Sequence, residues 1–491
     1  MGRAIEAFAR ALGPDAVLTS EQDLREFRDP YAYVGWDEFT AGAVVMPSSV
    51  EDVRAVVRIA NEHRVPLWTF GQGRNYTYGG PAPRVRGSVL VNLRRMDRVL
   101  EVNEELAYAV VEPGVRFFDL HDALRGHRLW PSVPDIGWGS VVGNTLEHGR
   151  GYTAQGDHAS SVCGMEVVLP DGDVLRTGMG AMAGGTSWHV NQRGFGPSPD
   201  GLFMQSNFGI VTKMGVWLMP QPEVYLSCFA RVPDDAAVAA LADALRGLML
   251  EGVIRNYPLL GQGVGIGDDE GTAAVGEASH WALRFALYGR RAVVDAQYAA
   301  VEAAFADVPG LELSRRTYAG HDLSGVTNHD DKVQCGIPGM ELMERFEEPY
   351  GEATGHLDLS PVSPATGREV VAMVERLRTL YGDHGIPYVA GLIFSARSVL
   401  HITTTFFDTR DEAQTRRVYD AYGHLVRALA AEGYGLYRTN LMYMDLVAEQ
   451  FDFNDHAQRR FNETLKDALD PNGILSPGKQ GIWPRHLRPA R

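Results

Sequence analysis

A chain of 491 residues with 45% hydrophobic and 22% charged side chains has the composition of a globular protein large enough for two or three cored domains. Its 46 basic and 62 acidic residues leave a net charge of -16 with no basic run to offset it, which argues against nucleic-acid partners. Cys163, Cys228 and Cys335 are odd in number and far apart, so neither a disulfide framework nor a Cys-x-x-Cys metal or redox site is available.

At the amino terminus, MGRAIEAFARALG reads as an amphipathic helix without a signal-type apolar core. No apolar run approaches the ~18 residues of a membrane span, and the expectation is a soluble cytoplasmic protein with no membrane or metal partner. AGAVVMP is a strand, and Ser48 with Glu51 forms a capping box that opens a helix whose apolar face is Val53, Val56, Val57 and Ala60. VPLWTF returns as a second strand. GSVLVNL and AYAVVEPGV are strand-like, RFFDLHDALRG is a helix, and MEVVLPDGDVLRTG is a hairpin turning on Asp171-Gly172. The Gly-rich stretch 178–202 has little periodicity and reads as a long loop. From about residue 223 strands alternate with long helices, notably PDDAAVAALADALRGLMLEG and GREVVAMVERLRTLYGDHG, which predicts a second α+β unit around an antiparallel sheet.

Three Gly-rich tracts carry the chemistry. In GQGRNYTYGG, residues 71–80, glycines allow the backbone to approach a ligand and let successive N–H groups converge on an oxyanion, for which a phosphate is the natural occupant. No Gly-Lys-Ser/Thr follows and the GxGxxG spacing is absent, so this is neither a Walker loop nor a Rossmann turn; a tight surface turn is the plainer reading. A second tract, VPDIGWGSVVGNTLEHGRGYTAQGDH at 133–158, and a third, QSNFGIVTKMGVWLMP at 205–220, together suggest an extended, phosphate-bearing ligand.

The order PLWTFGQGRNYTYGG, VVEPGVRFFDLHDAL, VPDIGWGSVVGNT, NFGIVTKMGVWLMP and the carboxy-terminal YRTNLMYMDL to LSPGKQGIWP resembles the vanillyl-alcohol oxidase and p-cresol methylhydroxylase family of flavoproteins, most like its bacterial eugenol oxidases. The resemblance runs from about residue 40 to 485. It implies an α+β fold in two parts: an FAD-binding domain from residues 1–222 and 437–491, and an antiparallel-sheet cap, or substrate, domain at 223–436. Gly71, Gln72, Gly73, Arg74 and Asn75 would then cradle the FAD pyrophosphate. Further FAD contacts are implied at Pro134, Gly139, Ser140, Gly143, Asn144, Gly149, Gly151 and Tyr152, at Gly209, Ile210 and Val211, and at Arg438 and Lys479.

In EATGHLDLSPVSP, His356 matches the histidine that tethers the flavin 8α-carbon in family oxidases, with Ser360-Pro361 four residues on. A neutral imidazole is a nucleophile suited to forming that bond, whereas the methylhydroxylase branch uses a tyrosine. Asp135 matches the active-site acid, and Tyr78, Tyr437 and Arg438 match the residues that bind the phenolic oxygen. Negative charge on that oxygen eases loss of a benzylic hydride, so two phenol hydroxyls and a guanidinium aimed at it act as an oxyanion hole. Asp135 would then accept a proton from water or from a benzylic alcohol.

Three departures stand out. Arg150 occupies a place where a small apolar residue is expected, which implies a more polar flavin-side wall. Tyr31 stands near where some relatives carry a histidine that assists attachment. Ala390 and Gly391 replace bulkier side chains expected beside the substrate ring, and Ile393 on the same run is expected to bind substrate with them. The resulting expectation is a homodimeric FAD-dependent oxidase that acts on vanillyl alcohol, eugenol, 4-alkylphenols and syringyl analogues, with O2 as acceptor and H2O2 as product. A methylhydroxylase-type dehydrogenase is the near alternative; the chain has no CxxCH haem site, so its cytochrome acceptor would be a separate protein. A non-redox nucleotide-binding protein is the distant one.

Overall fold

Short apolar runs in the first half of the chain build two sheets in the computed structural model, which describes residues 1–31, 39–262 and 280–488. In the first, Ala43–Val45 and Leu67–Phe70 lie parallel to either side of Val89–Asn92, and Val17–Leu18 closes one edge antiparallel. The helix Val50–His63 connects two of these strands and buries Val53, Val56, Val57 and Ala60 against Ala4 and Phe8 of the helix Gly2–Leu12. Its cap sits one residue later than the expected Ser48 and Glu51. Ser49 Oγ accepts from Asp52 N at 3.1 Å, and the Asp52 carboxylate reaches back to Ser48 N and Oγ, each at 2.9 Å.

The second sheet is antiparallel throughout, in the order Val99–Asn103, Tyr108–Val111, Ile210–Trp217, Val162–Val168, Val174–Arg176. Its last pair is the hairpin expected at Asp171-Gly172, where Gly172 takes a φ of 87°. From 178 to 203 the chain forms only isolated turns, among them Gly178–Ala181 and Asp200–Phe203, in keeping with a long loop.

The remaining strands form one eight-stranded antiparallel sheet. Its order is Glu312–Ala319, Val224–Val232, Trp281–Gly289, Leu259–Gln262, Ala390–Phe394, Ser398–Asp408, Thr354–Leu359, with Val362–Pro364 pairing beside Ser398–Asp408. Strand side chains alternate between faces, and here the alternation separates two roles. One face carries Leu260, Leu283, Phe285, Ala390, Leu392 and Phe394 into a core with the helices Asp235–Leu250, Arg291–Phe305 and Gly367–Asp383. The other presents Leu259, Arg284, Gly391, Ile393, Ile402, Thr404, His356 and Asp358 to a cavity. This sheet is therefore the roof of the site.

The chain returns to the first sheet at its end. Leu67 N donates to Ile474 O at 2.7 Å and Ser476 N to Leu67 O at 2.8 Å. Buried Lys466 fixes the junction, donating to Asn207 O and Leu475 O and pairing with Asp470 at 2.7 Å. Among the described residues no helix is long and apolar enough to cross a membrane, and no His, Cys, Asp and Glu cluster has the form of a metal site.

Candidate active site

A cavity of about 780 Å³ runs between the roof sheet and the Gly-rich tracts. Its floor is the loop after Leu67–Phe70, and the sequence there leaves no room for side chains. A Cβ on Gly71 would stand 2.7 Å from both Pro113 O and Ser140 Cβ, and one on Gly79, at φ 97°, would overlap Leu441 Cδ2. The loop is held from behind: Gln72 Nε2 donates to Gly114 O at 2.6 Å, and Arg94 donates twice to Gln72 O. Gly71, Gln72, Gly73, Arg74 and Asn75 all face the cavity, as do Pro134, Gly139, Ser140, Gly143, Asn144, Tyr152, Gly209, Ile210, Val211 and Lys479.

Arg438 lies over the rings of both Tyr78 and Tyr437, 5.5 and 5.4 Å from their centroids. Its position is set by the second Gly-rich tract, because its Nε donates to Glu147 O and its Nη2 to Asn144 O at 3.2 Å. Tyr78 closes the single turn Tyr76–Tyr78, with its hydroxyl 3.5 Å from Ser360 Oγ. Burial raises the Tyr78 hydroxyl well above the ordinary phenol range, and Arg438 offsets this only in part, so Tyr78 remains a neutral donor. Lys479 pairs with Glu147 at 2.6 Å on the same side.

Asp135 enters from the second tract and meets a charged group that the sequence reading did not include. Arg284, 2% exposed, bridges Asp135 and Asp330 and lies 4.2 Å from the Tyr152 ring centroid. His329 Nε2 stands 3.2 Å from Asp135 Oδ1, and Tyr152 donates its hydroxyl to Oδ2. His329 Nδ1 faces Glu341 at 3.5 Å, and Glu341 pairs with Lys332 at 2.6 Å. Burial works to raise Asp135, but Arg284, His329 and Tyr152 outweigh it and hold the carboxyl well below its usual range. Burial likewise works to lower His329, and the Asp135 and Glu341 carboxylates outweigh it and lift the imidazole to about 9. The group is an ionised network around one carboxylate, and so a weaker proton acceptor than an isolated aspartate would be.

His356 lies on the roof strand Thr354–Leu359, its ring between Tyr31 and Phe346, both edge-on at 5.1 Å. Burial pushes it down to about 4, and its Nδ1 is buried with no hydrogen-bond partner, which keeps a neutral imidazole at the cavity wall. Two residues on, Asp358 faces the same cavity.

Most of the anticipated residues thus converge, and three do not. Ala390 points away from the cavity into the helix-covered core, because neighbours on a strand face opposite sides; Gly391 and Ile393 are the residues of that run on the wall. Gly149 and Gly151 do not line the cavity. They allow close packing instead: a Cβ on Gly149 would overlap the Asn144 amide, and one on Gly151 would come within 2.3 Å of Ser132 Oγ. Arg150 does reach the wall, with its charge taken up by Asp157 and its guanidinium 5.7 Å from the Tyr257 ring centroid. Sequence reasoning missed Arg284, His329, Asp330, Glu341 and Asp358. Only the aspartate in the quoted GHLDLSP run carried a local signal.

Comparison with known proteins agrees with this geometry. The FAD binding domain family matches residues 41–178, and the C-terminal domain of FAD linked oxidases matches residues 353–480. The flavoprotein subunit of 4-cresol dehydrogenase [hydroxylating] from Pseudomonas putida is 32% identical, with 98% of this chain and 95% of that protein aligned. The structure of 4-ethylphenol oxidase from Gulosibacter chungangensis in complex with isoeugenol superposes with a TM-score of 0.91 at 38% identity, covering 99% of this chain and 98% of the other. Substrate-bound p-cresol methylhydroxylase gives a TM-score of 0.89 at 31% identity, covering 98% and 97%.

Proposed function

The chain belongs to the vanillyl-alcohol oxidase and p-cresol methylhydroxylase family of flavoproteins, and we propose that it is an FAD-dependent oxidase of para-substituted phenols that passes electrons to O2 and forms H2O2. The observation that carries the substrate class is the clamp of Tyr78, Tyr437 and Arg438 around one corner of the cavity. Its donors suit a phenolate oxygen: one permanent guanidinium charge and two phenol hydroxyls, in a site where burial strengthens each interaction.

The residues present fit FAD. Gly71 forms a cradle that any Cβ would fill, and the His356 imidazole has a bare nitrogen at the wall. FAD, when bound, supplies the two-electron acceptor for a benzylic hydride. In the proposed mechanism Tyr78, Tyr437 and Arg438 hold the substrate oxygen as phenolate, which lets the ring release that hydride and become a para-quinone methide. Asp135, held ionised by Arg284, His329 and Tyr152, orients the water or alcohol group at the benzylic position and favours the positive charge that develops there. The division into an FAD-binding part, 1–222 with 437–491, and a cap, 223–436, is proposed with this reading.

His356, rather than a tyrosine, at the tether position supports oxidase over cytochrome-linked chemistry. The test is peroxide formation with 4-ethylphenol or vanillyl alcohol in an oxygen electrode. One H2O2 per substrate oxidised is expected. Oxidation that proceeds only with an added one-electron acceptor would assign the chain to the dehydrogenase reading.

A further inference from the structure

Five carboxyl residues line the cavity, and four of them are matched by cations: Asp135 and Asp330 by Arg284, Glu147 by Lys479, Glu341 by Lys332. Asp358 differs. Among the described residues it forms no ion pair, and its Oδ1 is buried with no hydrogen-bond partner. An unpaired buried carboxylate is expensive to maintain unless a ligand uses it.

Its place in the fold says which ligand atom is near. Asp358 N donates to Thr77 Oγ1 at 2.7 Å, which docks this strand on the turn carrying Tyr78. Thr404 pairs opposite it on the neighbouring strand and also faces the cavity. Two residues further on, Ser360 Oγ reaches the Tyr78 hydroxyl. Thr77 directly precedes Tyr78, and Asp358, Tyr78 and Arg438 line the same cavity, so the carboxylate borders the clamp from the roof side. The clamp contains no carboxylate: Arg438 only donates, and the Tyr78 and Tyr437 hydroxyls donate or accept. A phenol held there as phenolate must pass its proton to another group, and Asp135 and Glu341 are already engaged by cations and donors.

We propose that Asp358 is the proton acceptor for the substrate's phenol group. This rests on the phenol reading above and names a residue for a step that reading leaves unassigned. The phenol O–H bond breaks with its electron pair left on oxygen, and the proton forms an O–H bond on the Asp358 carboxylate. The negative charge moves from Asp358 to the phenolate beside Arg438, and net charge is unchanged. Burial raises Asp358 to about 6, against the opposing Thr404 and Thr77 hydroxyls. The group therefore accepts a proton above that pH and is blocked below it.

The experiment uses the FAD-loaded protein and Asp358→Asn. With 4-alkylphenols, wild-type kcat/KM is expected to fall about tenfold per pH unit below about 6. The variant loses that limb, is slower by ~10²–10⁴-fold at pH 7.5, and recovers on ring-fluorinated phenols of lower pKa. An acid limb that survives in Asp358→Asn, or a variant as fast as wild type at pH 7.5, would overturn the proposal. So would a wild-type profile flat from pH 5 to 8, an arm that needs no variant. Failure of the phenol reading looks different: wild type would oxidise no 4-alkylphenol at any pH.

Discussion

Tyr31 meets His356 edge-on, ring centroids 5.1 Å apart, and the imidazole keeps a buried Nδ1 with no hydrogen-bond partner. Aromatic edges thus hold His356 in place, and burial keeps it neutral, the form that acts as a nucleophile. Acid-precipitated wild-type protein is expected to retain its yellow flavin, and His356→Ala to release it into the supernatant while remaining folded. Flavin shed completely by wild type would remove the tether.

Gly391 and Ala390 are adjacent, yet they make opposite predictions. A Cβ on Gly391 would meet Leu259 Cδ1 at an ordinary 3.5 Å, and the residue lies on the cavity wall, so Gly391→Leu narrows the site without strain in the core. The ratio of kcat/KM for syringyl over vanillyl alcohol is expected to drop by roughly 10–200-fold, the range for one pocket-filling group. Ala390→Leu instead overpacks the helix-covered core and destabilises by about 1–3 kcal/mol, with the ratio unchanged. A ratio that moves in Ala390→Leu and not in Gly391→Leu would reverse the assigned strand faces.

The parts of this site written as local runs were legible in the sequence: the glycine loop, the Tyr-Arg pair and the histidine strand each announce themselves within a dozen residues. The network around Asp135 was not. Arg284 and His329 lie 149 and 194 residues away, and only the register of the roof sheet and the docking of His329–Gln334 bring them in. Ala390 illustrates a different loss. Strand period alone says that Ala390 and Gly391 face opposite sides, but it does not say which side holds the cavity until the helices over the sheet are placed.

The Asp135 network sets a pH dependence of stability. His329 is raised to about 9, so its contribution is complete below its ordinary value of 6.5 and is lost as pH climbs through about 9. Asp135 and Glu341 are depressed, so theirs is present above the usual carboxylate range and is lost in acid. The His329 part amounts to about 3 kcal/mol at most, from about 1.4 kcal/mol per pKa unit. His329→Gln is expected to lower Tm at pH 6 and to flatten the decline between pH 7 and 10. An alkaline decline identical to wild type would place the titrating group elsewhere.

Arg284 compensates two buried carboxylates at once. Arg284→Met leaves Asp135 and Asp330 without it, and a destabilisation of ~3–5 kcal/mol is expected from breaking a buried pair. Asp135→Asn, which preserves shape, is expected to fold and bind FAD but to lower the rate of flavin reduction by ~10²–10³-fold, the scale for losing one electrostatic stabiliser. Reduction at the wild-type rate in Asp135→Asn would exclude the carboxylate from the chemistry.

The most direct measurement of the proposed activity is the visible spectrum of the purified protein during anaerobic addition of 4-ethylphenol, followed by air. The expected result is bleaching of the flavin bands by about one equivalent of substrate, then rapid return of the oxidised spectrum on aeration with release of H2O2. A spectrum that no para-substituted phenol bleaches would contradict the substrate class, and one that bleaches but stays reduced in air would contradict the oxidase.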